Sequence, residues 1–322
     1  MTVVTPPWPP PPPPAPSVPP AGPSLLKPPP APAAPAPKRR RLDAACVYGA
    51  VLVIISALIF GLLLDIGPVG DVRHARDRET AYADLRSALA QGTVPVGQTG
   101  PDGRLLPLGV PVALLTVPEL GLREVVREGT TSGVLENGPG HRRDTPMPGQ
   151  AGTSVVMARE SGFGGPFGTL DQLRPDETFT LITGQGTQVF RVLDVRRAGD
   201  PVPSPLAAGK ARLVLVTADG PAFAPDGVLQ VDADLVGAVR PAPARPLVAS
   251  QLDQSELPMH GDVSAWVPLV LWGEALLLAA VALTLARVRW GRWQAWTPGV
   301  PVLGALGLIV ADQVVRLLPN LI

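Results

Sequence analysis

Cysteine occurs once in these 322 residues, at Cys46. A single thiol excludes a disulfide framework, a thiolate zinc site and a CxxC redox pair. Histidine occurs three times, at His74, His141 and His260, spaced too widely to suggest a metal cluster. Neither a metal nor a cofactor is expected. Lysine is equally scarce, at Lys27, Lys38 and Lys210, and aromatic residues make up 4%. Charged residues are 17%, below the roughly 25% of an ordinary soluble domain. The formal net charge is zero, so there is no basic field to hold nucleic acid. Alanine, glycine, proline and arginine are what is plentiful, the composition of a GC-rich bacterial gene.

The prolines are unevenly spread. Residues 1–38 hold 18 of the 42, and runs such as Pro9 to Pro14 favour polyproline II over helix or sheet. Residues 1–41 read as a disordered cytoplasmic tail with a basic end, Lys38 to Arg41. Three apolar stretches follow, at 45–64, 265–286 and 299–318. Cys46 to Leu64 is uncharged, and at 1.5 Å per residue it spans roughly 28 Å, enough for a hydrocarbon core. Residues 287–298 form a short loop rich in arginine and tryptophan. The excess of positive charge at 38–41 and in this loop places both inside the cell, and so puts residues 65–264 outside it. The chain is therefore expected in the cell membrane with three passes. Glu274, Asp312 and Arg316 would sit in the outer half of the bilayer. An Asp312–Arg316 pair, or a Glu274–Arg316 pair, would lower their desolvation cost.

The external segment divides in three. Residues 65–104 contain a charged stretch, 71–91, with apolar positions at Ala75, Tyr82, Leu85 and Leu89, a juxtamembrane helix ending near Gly92. Residues 238–264 are proline-rich and polar, a linker. Between them, 105–237 carries seven strand-like runs: Val110–Val117, Leu122–Val126, Ser154–Ala158, Thr178–Thr183, Gln188–Val195, Arg212–Thr217 and Val228–Val231. A short helical piece, Phe167–Leu173, interrupts them. So many short strands predict an all-β barrel or sandwich.

The motifs within this region resemble those of the sortases, cysteine transpeptidases that join surface proteins to the bacterial cell wall. The matching stretches are VALLTVPELGLREVVREGT (112–130), VLENGPGH (134–141), TPMPGQAGTSVVMA (145–158), FGGPFGTLDQLRPDE (163–177) and RLVLVTADG (212–220). The likeness, closest to the class E, actinobacterial type, implies an eight-stranded barrel and a sorting-signal peptide as the ligand of the parent fold. The family's chemistry does not carry over. Arg159 stands where its histidine is expected, Ala218 where its cysteine is expected, and Val228 where its arginine is expected. From Leu213 to Val239 there is no Cys, His, Lys or Arg, and no histidine lies between His141 and His260. Alanine is no nucleophile, arginine no general base at neutral pH, and valine no oxyanion donor.

Thr217 adjoins the Ala218 position, but consecutive strand residues point to opposite faces, and no base is evident near it in sequence. His141 in GPGH belongs to a structural turn of the family, and Cys46 is a small apolar residue of a span. Arg159 and Glu160 put a charge pair at the mouth of the domain. Asp219, Asp226, Asp232 and Asp234 make its far end acidic. Arg159, Glu160, Thr217 and Asp219 are thus candidates for a retuned peptide or partner groove.

Three functions remain open. One is a pseudo-sortase, a binding or assembly protein whose partners are the bilayer and either an active sortase or a secreted surface protein, with a sorting-signal-like peptide as possible ligand. The second is a divergent active transpeptidase or hydrolase, and the third a structural module.

Overall fold

The computed structural model describes residues 8–14, 56, 59–290 and 292–322. Most of the proline-rich tail and of the first apolar run, 45–64, lies outside the described residues. Trp8 to Pro14 is exposed and carries neither helix nor strand.

Eight strands close into a barrel: β1 (Pro111–Val117), β2 (Leu122–Glu128), β3 (Gly140–His141), β4 (Gly152–Met157), β5 (Thr178–Thr183), β6 (Gly186–Arg196), β7 (Ala211–Asp219) and β8 (Gly227–Val236). Their order around it is β1-β2-β3-β4-β7-β8-β6-β5, with β5 closing onto β1. Pairing is antiparallel except for β2 with β3 and β4 with β7. All seven expected strand runs are present. β3 escapes sequence reading because two residues give no alternation to detect. The expected helical piece at 167–173 shrinks to one 3₁₀ turn, Leu170–Gln172.

Local chemistry explains the hairpins. Thr183 pairs with Gly186 across a two-residue loop, and Gly186 takes φ +99°, the left-handed region that tight hairpins need and glycine tolerates. The interior is filled by alternate residues of the longer strands, among them Leu115, Val126, Val156, Phe179, Leu181, Phe190, Leu213, Leu215 and Val231. Phe179 stacks on Phe190 across β5 and β6 at a centroid distance of 5.8 Å.

β7 departs from simple alternation. Its residues are buried on both faces from Leu213 to Ala218. A strand reads this way when a second layer covers its outer side. Leu213 and Leu215 point into the barrel, while Val214, Val216 and Ala218 pack outward against Met157, Leu135 and Leu321. The cover is a helical turn, α2 (Ser132–Leu135), together with the C-terminal segment.

The predicted juxtamembrane helix is α1 (Gly70–Gln91), capped by Gly92 in the left-handed conformation. It lays Ala81 and Leu85 on Leu114 and Val125, while Tyr82 and Leu89 pack at the margin. Ala75 is exposed; the buried residue of that turn is His74, whose Nε2 lies 3.3 Å from Glu124. The expected linker is bound along the barrel: the Arg240 N–H donates to the Gly149 carbonyl at 2.9 Å, and Gln98 exchanges two hydrogen bonds with the Leu247 backbone.

Two helices finish the chain, α3 (Trp266–Trp290) and α4 (Arg292–Leu317). Among the described residues, two stretches, Val263–Leu283 and Thr297–Leu317, are long and apolar enough to cross a membrane. The two ends of the hairpin meet each other. The Asp262 N–H donates to the Arg316 carbonyl at 2.7 Å, and a Cβ on Gly261 would overlap the Leu317 backbone. Asp312 pairs with Arg316 at 3.3 Å. No ion pair joins Glu274 to Arg316; Glu274 is exposed. The second partner of Asp312 is Arg73 of α1 at 3.8 Å, and Arg73 also holds Asp65 at 3.2 Å. The clasp therefore ties the hairpin to α1.

Candidate functional site

β4 and β7 run parallel, with Met157 opposite Val216, so both end at the same rim of the barrel. β8 runs back beside β7, placing Val228 opposite Ala218. Arg159 follows β4 by two residues. The three positions singled out by resemblance are thus brought together. Val228 is half-buried against the outward cluster of Ala218.

Arg159 does not face the mouth, nor does it pair with Glu160. It is 1% exposed, folded inward under the C-terminal segment. One Nη2 donates to the Ser132 hydroxyl at 2.8 Å and lies 3.7 Å from Glu136. Its Nη1 donates to the main-chain oxygen of Ile322, and its guanidinium sits 5.0 Å from the Phe163 ring centre. Phe163 holds a left-handed φ of +46°, uncommon for a bulky residue; burial against Ile66 and Val315 holds it there. The Glu136–Arg159 pair is weak at both ends. Burial pushes the Glu136 carboxyl up to about 7, more than the guanidinium lowers it, and pushes Arg159 down to about 10. Taking charge out of water outweighs an attraction at that separation. Arg159 stays cationic at neutral pH and cannot take a proton.

Glu160 faces the other way, into a cavity of about 90 Å³ at the barrel mouth that it shares with Phe167, Asp171, Arg197, Thr217 and Asp219. Thr217 is 1% exposed and its hydroxyl has no hydrogen-bond partner. A threonine nucleophile needs a base within hydrogen-bond reach, and none is bonded to it. Three of the four aspartates at this end are paired rather than open. Asp219 pairs with Arg197 at 3.1 Å, Asp234 with Arg212 at 2.7 Å, and Asp232 with Arg196. The missed signal was arginine in β6 and β7, whose register sets Arg212 beside Asp234.

The groove above Ala218 is filled by residues that sequence reasoning did not flag. The chain turns at Asn320 and Leu321, with the Ile322 N–H donating to the Pro319 carbonyl at 3.2 Å. The Leu321 side chain is fully buried among Leu135, Met157, Val214, Val216 and Ala218. The Glu160 N–H donates to the Leu321 carbonyl at 2.9 Å, and the Asn320 N–H to the His260 carbonyl at 3.0 Å. The Asn320 side-chain amide donates to the Thr130 and Leu257 carbonyls at 2.8 and 3.0 Å. Burying one leucine contributes roughly 1.5–3 kcal/mol, and a hydrogen bond to a charged donor adds about 1.5–3 kcal/mol.

His141 behaves as the turn residue expected. It is fully buried, with Nδ1 2.9 Å from Glu128 and Nε2 3.0 Å from the Pro146 carbonyl. Burial lowers its pKa, but Glu128 and the hydrogen bonds to Glu128 and the Pro146 carbonyl outweigh that and raise it. Gly140 before it lies so close to Gly129 that a Cβ would overlap the Gly129 carbonyl oxygen.

The family model described as Sortase domain matches residues 115–235. Those residues are the barrel, and an eight-stranded closed barrel is typical of the sortase fold. The solved structures similar to this chain include sortase E from Streptomyces avermitilis, 28% identical over 41% of this chain and 91% of that one, TM-score 0.36. They also include sortase E1 from Streptomyces coelicolor with a tripeptide in its active site, 24% identical over 39% and 88%, TM-score 0.36. A Clostridium perfringens sortase D5 transpeptidase is 18% identical over 50% and 99%, TM-score 0.42. No curated protein matches.

Proposed function

We propose that this chain is a membrane-anchored sortase-domain protein that binds or assembles rather than catalyses. One observation carries the reading. At the rim where β4, β7 and β8 meet, Ala218 is packed under Leu321 and Arg159 is spent on Ser132, Glu136 and the main-chain oxygen of Ile322. A position filled by a methyl group offers no thiolate, and a buried guanidinium offers no general base. In this reading Arg159, Ala218 and Val228 replace the family's histidine, cysteine and arginine, and the loss of a whole catalytic set removes several orders of magnitude of rate.

The barrel stands outside the cell, and the chain crosses the membrane three times, with 1–41 and 287–298 inside. The closing of the α3–α4 hairpin, whose two ends meet each other, supports this arrangement. The partner is an active sortase or a secreted surface protein carrying a sorting-signal-like peptide. A divergent hydrolase is the competing reading, and it rests on Thr217 sharing its cavity with Glu160, Asp171 and Asp219.

The test incubates the detergent-purified full chain with an LPxTG-type peptide and an amine acceptor. We expect neither cleavage nor transfer. Turnover that disappears in Thr217→Val would overturn the reading and establish the hydrolase.

A further inference from the structure

The segment in the groove has the marks of a ligand. Its leucine enters a pocket made wholly by other elements: Leu135 from α2, Met157 from β4, and Val214, Val216 and Ala218 from β7. Its backbone is held at three points, by the Glu160 N–H, the His260 carbonyl and the Arg159 guanidinium. Asn320 is fully buried and its side-chain amide is bonded to backbone on both walls, Thr130 and Leu257. Yet the segment does not satisfy the site. Glu136 Oε1, Arg159 Nε and Asn320 Oδ1 are buried with no hydrogen-bond partner. These polar atoms remain open to a partner that could bond them.

The barrel does not depend on this occupant. Its eight strands close on one another without residues 319–322, and the interior core is drawn from the strands and the loops between them, none of it from the C-terminal segment. The occupant instead hangs from α4, which carries the Arg73–Asp312–Arg316 clasp.

We propose that the groove at the ends of β4 and β7 is a peptide-binding site occupied in cis by Asn320–Ile322, and that on withdrawal of this segment it takes a leucine-bearing peptide turn from a partner. The inference deepens the binding reading above by naming the ligand class: an apolar, uncharged turn with leucine at its tip and an amide side chain before it. The Leu321 pocket sets the leucine, and the Thr130 and Leu257 carbonyls set the amide. Arg159 and the Glu160 N–H read main-chain carbonyls, so they fix the pose without selecting a side chain.

The experiment uses the full chain in detergent with Cys46 changed to Ala. The probe is a fluorescein-labelled Leu-Pro-Asn-Leu-Ile peptide with an amidated end, read by anisotropy. Leu321→Asp puts a carboxylate against the apolar pocket and should expel the cis segment, giving at least tenfold tighter probe binding than the parent chain. Adding Arg159→Met should return binding to the parental level. A probe in which the inner leucine is aspartate should not bind. Equal probe binding by the parent and Leu321→Asp chains would overturn the proposal. A second measurement does not rely on displacement: a chain with Ala218→Cys and Leu321→Cys should form an intramolecular disulfide under mild oxidation, and failure to form it would also overturn the docking. Peptide turnover in the assay of the previous subsection would remove the non-catalytic reading while leaving these outcomes unchanged, so the two fail separately.

Discussion

Glu136 illustrates how one buried carboxylate can set a pH response. Its ordinary value is 4.5 and burial raises it to about 7, against the pull of Arg159 and, more distantly, Arg73 and Arg316, with Asp312 adding to the rise. A raised folded-state pKa means that the folded chain keeps a proton which the unfolded chain releases. The stabilisation is complete below about pH 4.5 and is lost as pH climbs through about 7. Its full size is about 3 kcal/mol from the shift alone. Thermal melts of the full chain should therefore show wild type falling relative to Glu136→Gln between pH 5 and pH 8, with the difference confined to that window. His141 moves stability in the same direction, but it is present in both chains and cancels in the comparison. Parallel melts would refute this account. Residue-level legibility was uneven. GPGH, with Gly140 forced by the nearby Gly129 carbonyl and His141 by Glu128, could be read as a structural turn from its motif. Glu136, only four residues earlier, could not, since nothing in VLENG announces that its carboxylate will be buried beside Arg159. The Arg159–Glu160 pair was misread because neighbours in sequence at a strand end diverge in space.

At the scale of the element, β7 separates what alternation reveals from what it hides. Val, Leu and Thr in RLVLVT marked the strand, and the flanking sequence fixed its length to within two residues at each end. Alternation could not say that the outer face was covered, because the cover arrives from α2 and from residues a hundred positions further on. The same distance hid the pairing of the aspartates, which became legible only once register set Arg212 beside Asp234. Adjacent residues of β7 should therefore respond very differently. Leu213 is fully buried in the barrel interior, and Leu213→Ala should cost about 2–5 kcal/mol by loss of contact plus the cavity left behind. Arg212 is a cross-strand ion pair whose partner is 39% exposed, so Arg212→Ala should cost under about 1 kcal/mol. Hydrogen exchange of the β7 amides across a urea series separates the two. Comparable losses would mean that the surface pair, and not the interior, holds β7 in place.

Across the whole molecule, membrane and barrel are joined at one patch. Leu62 from the first apolar run, Ile66 just after it, Phe163 from the loop after β4, Val315 from α4 and Leu318 just beyond it pack together, while Arg73 links Asp65 to Asp312 above them. The patch thus sets the start of α1 and the end of α4 beside the loop after β4. Arginine and tryptophan in 287–298, on the opposite end of the hairpin, favour the cytoplasmic face there by the excess of positive charge. The proposed orientation, with the barrel outside and 287–298 inside, is tested by labelling. In a chain with Cys46 changed to Ala, a membrane-impermeant maleimide should modify Ala207→Cys, an exposed position between β6 and β7, in intact cells. It should modify Gln294→Cys only after permeabilisation. The reverse pattern would put the barrel in the cytosol and leave its groove with no access to any secreted partner. Labelling of both sites in intact cells would mean that the hairpin does not cross the membrane, and that its apolar faces serve a helix partner instead.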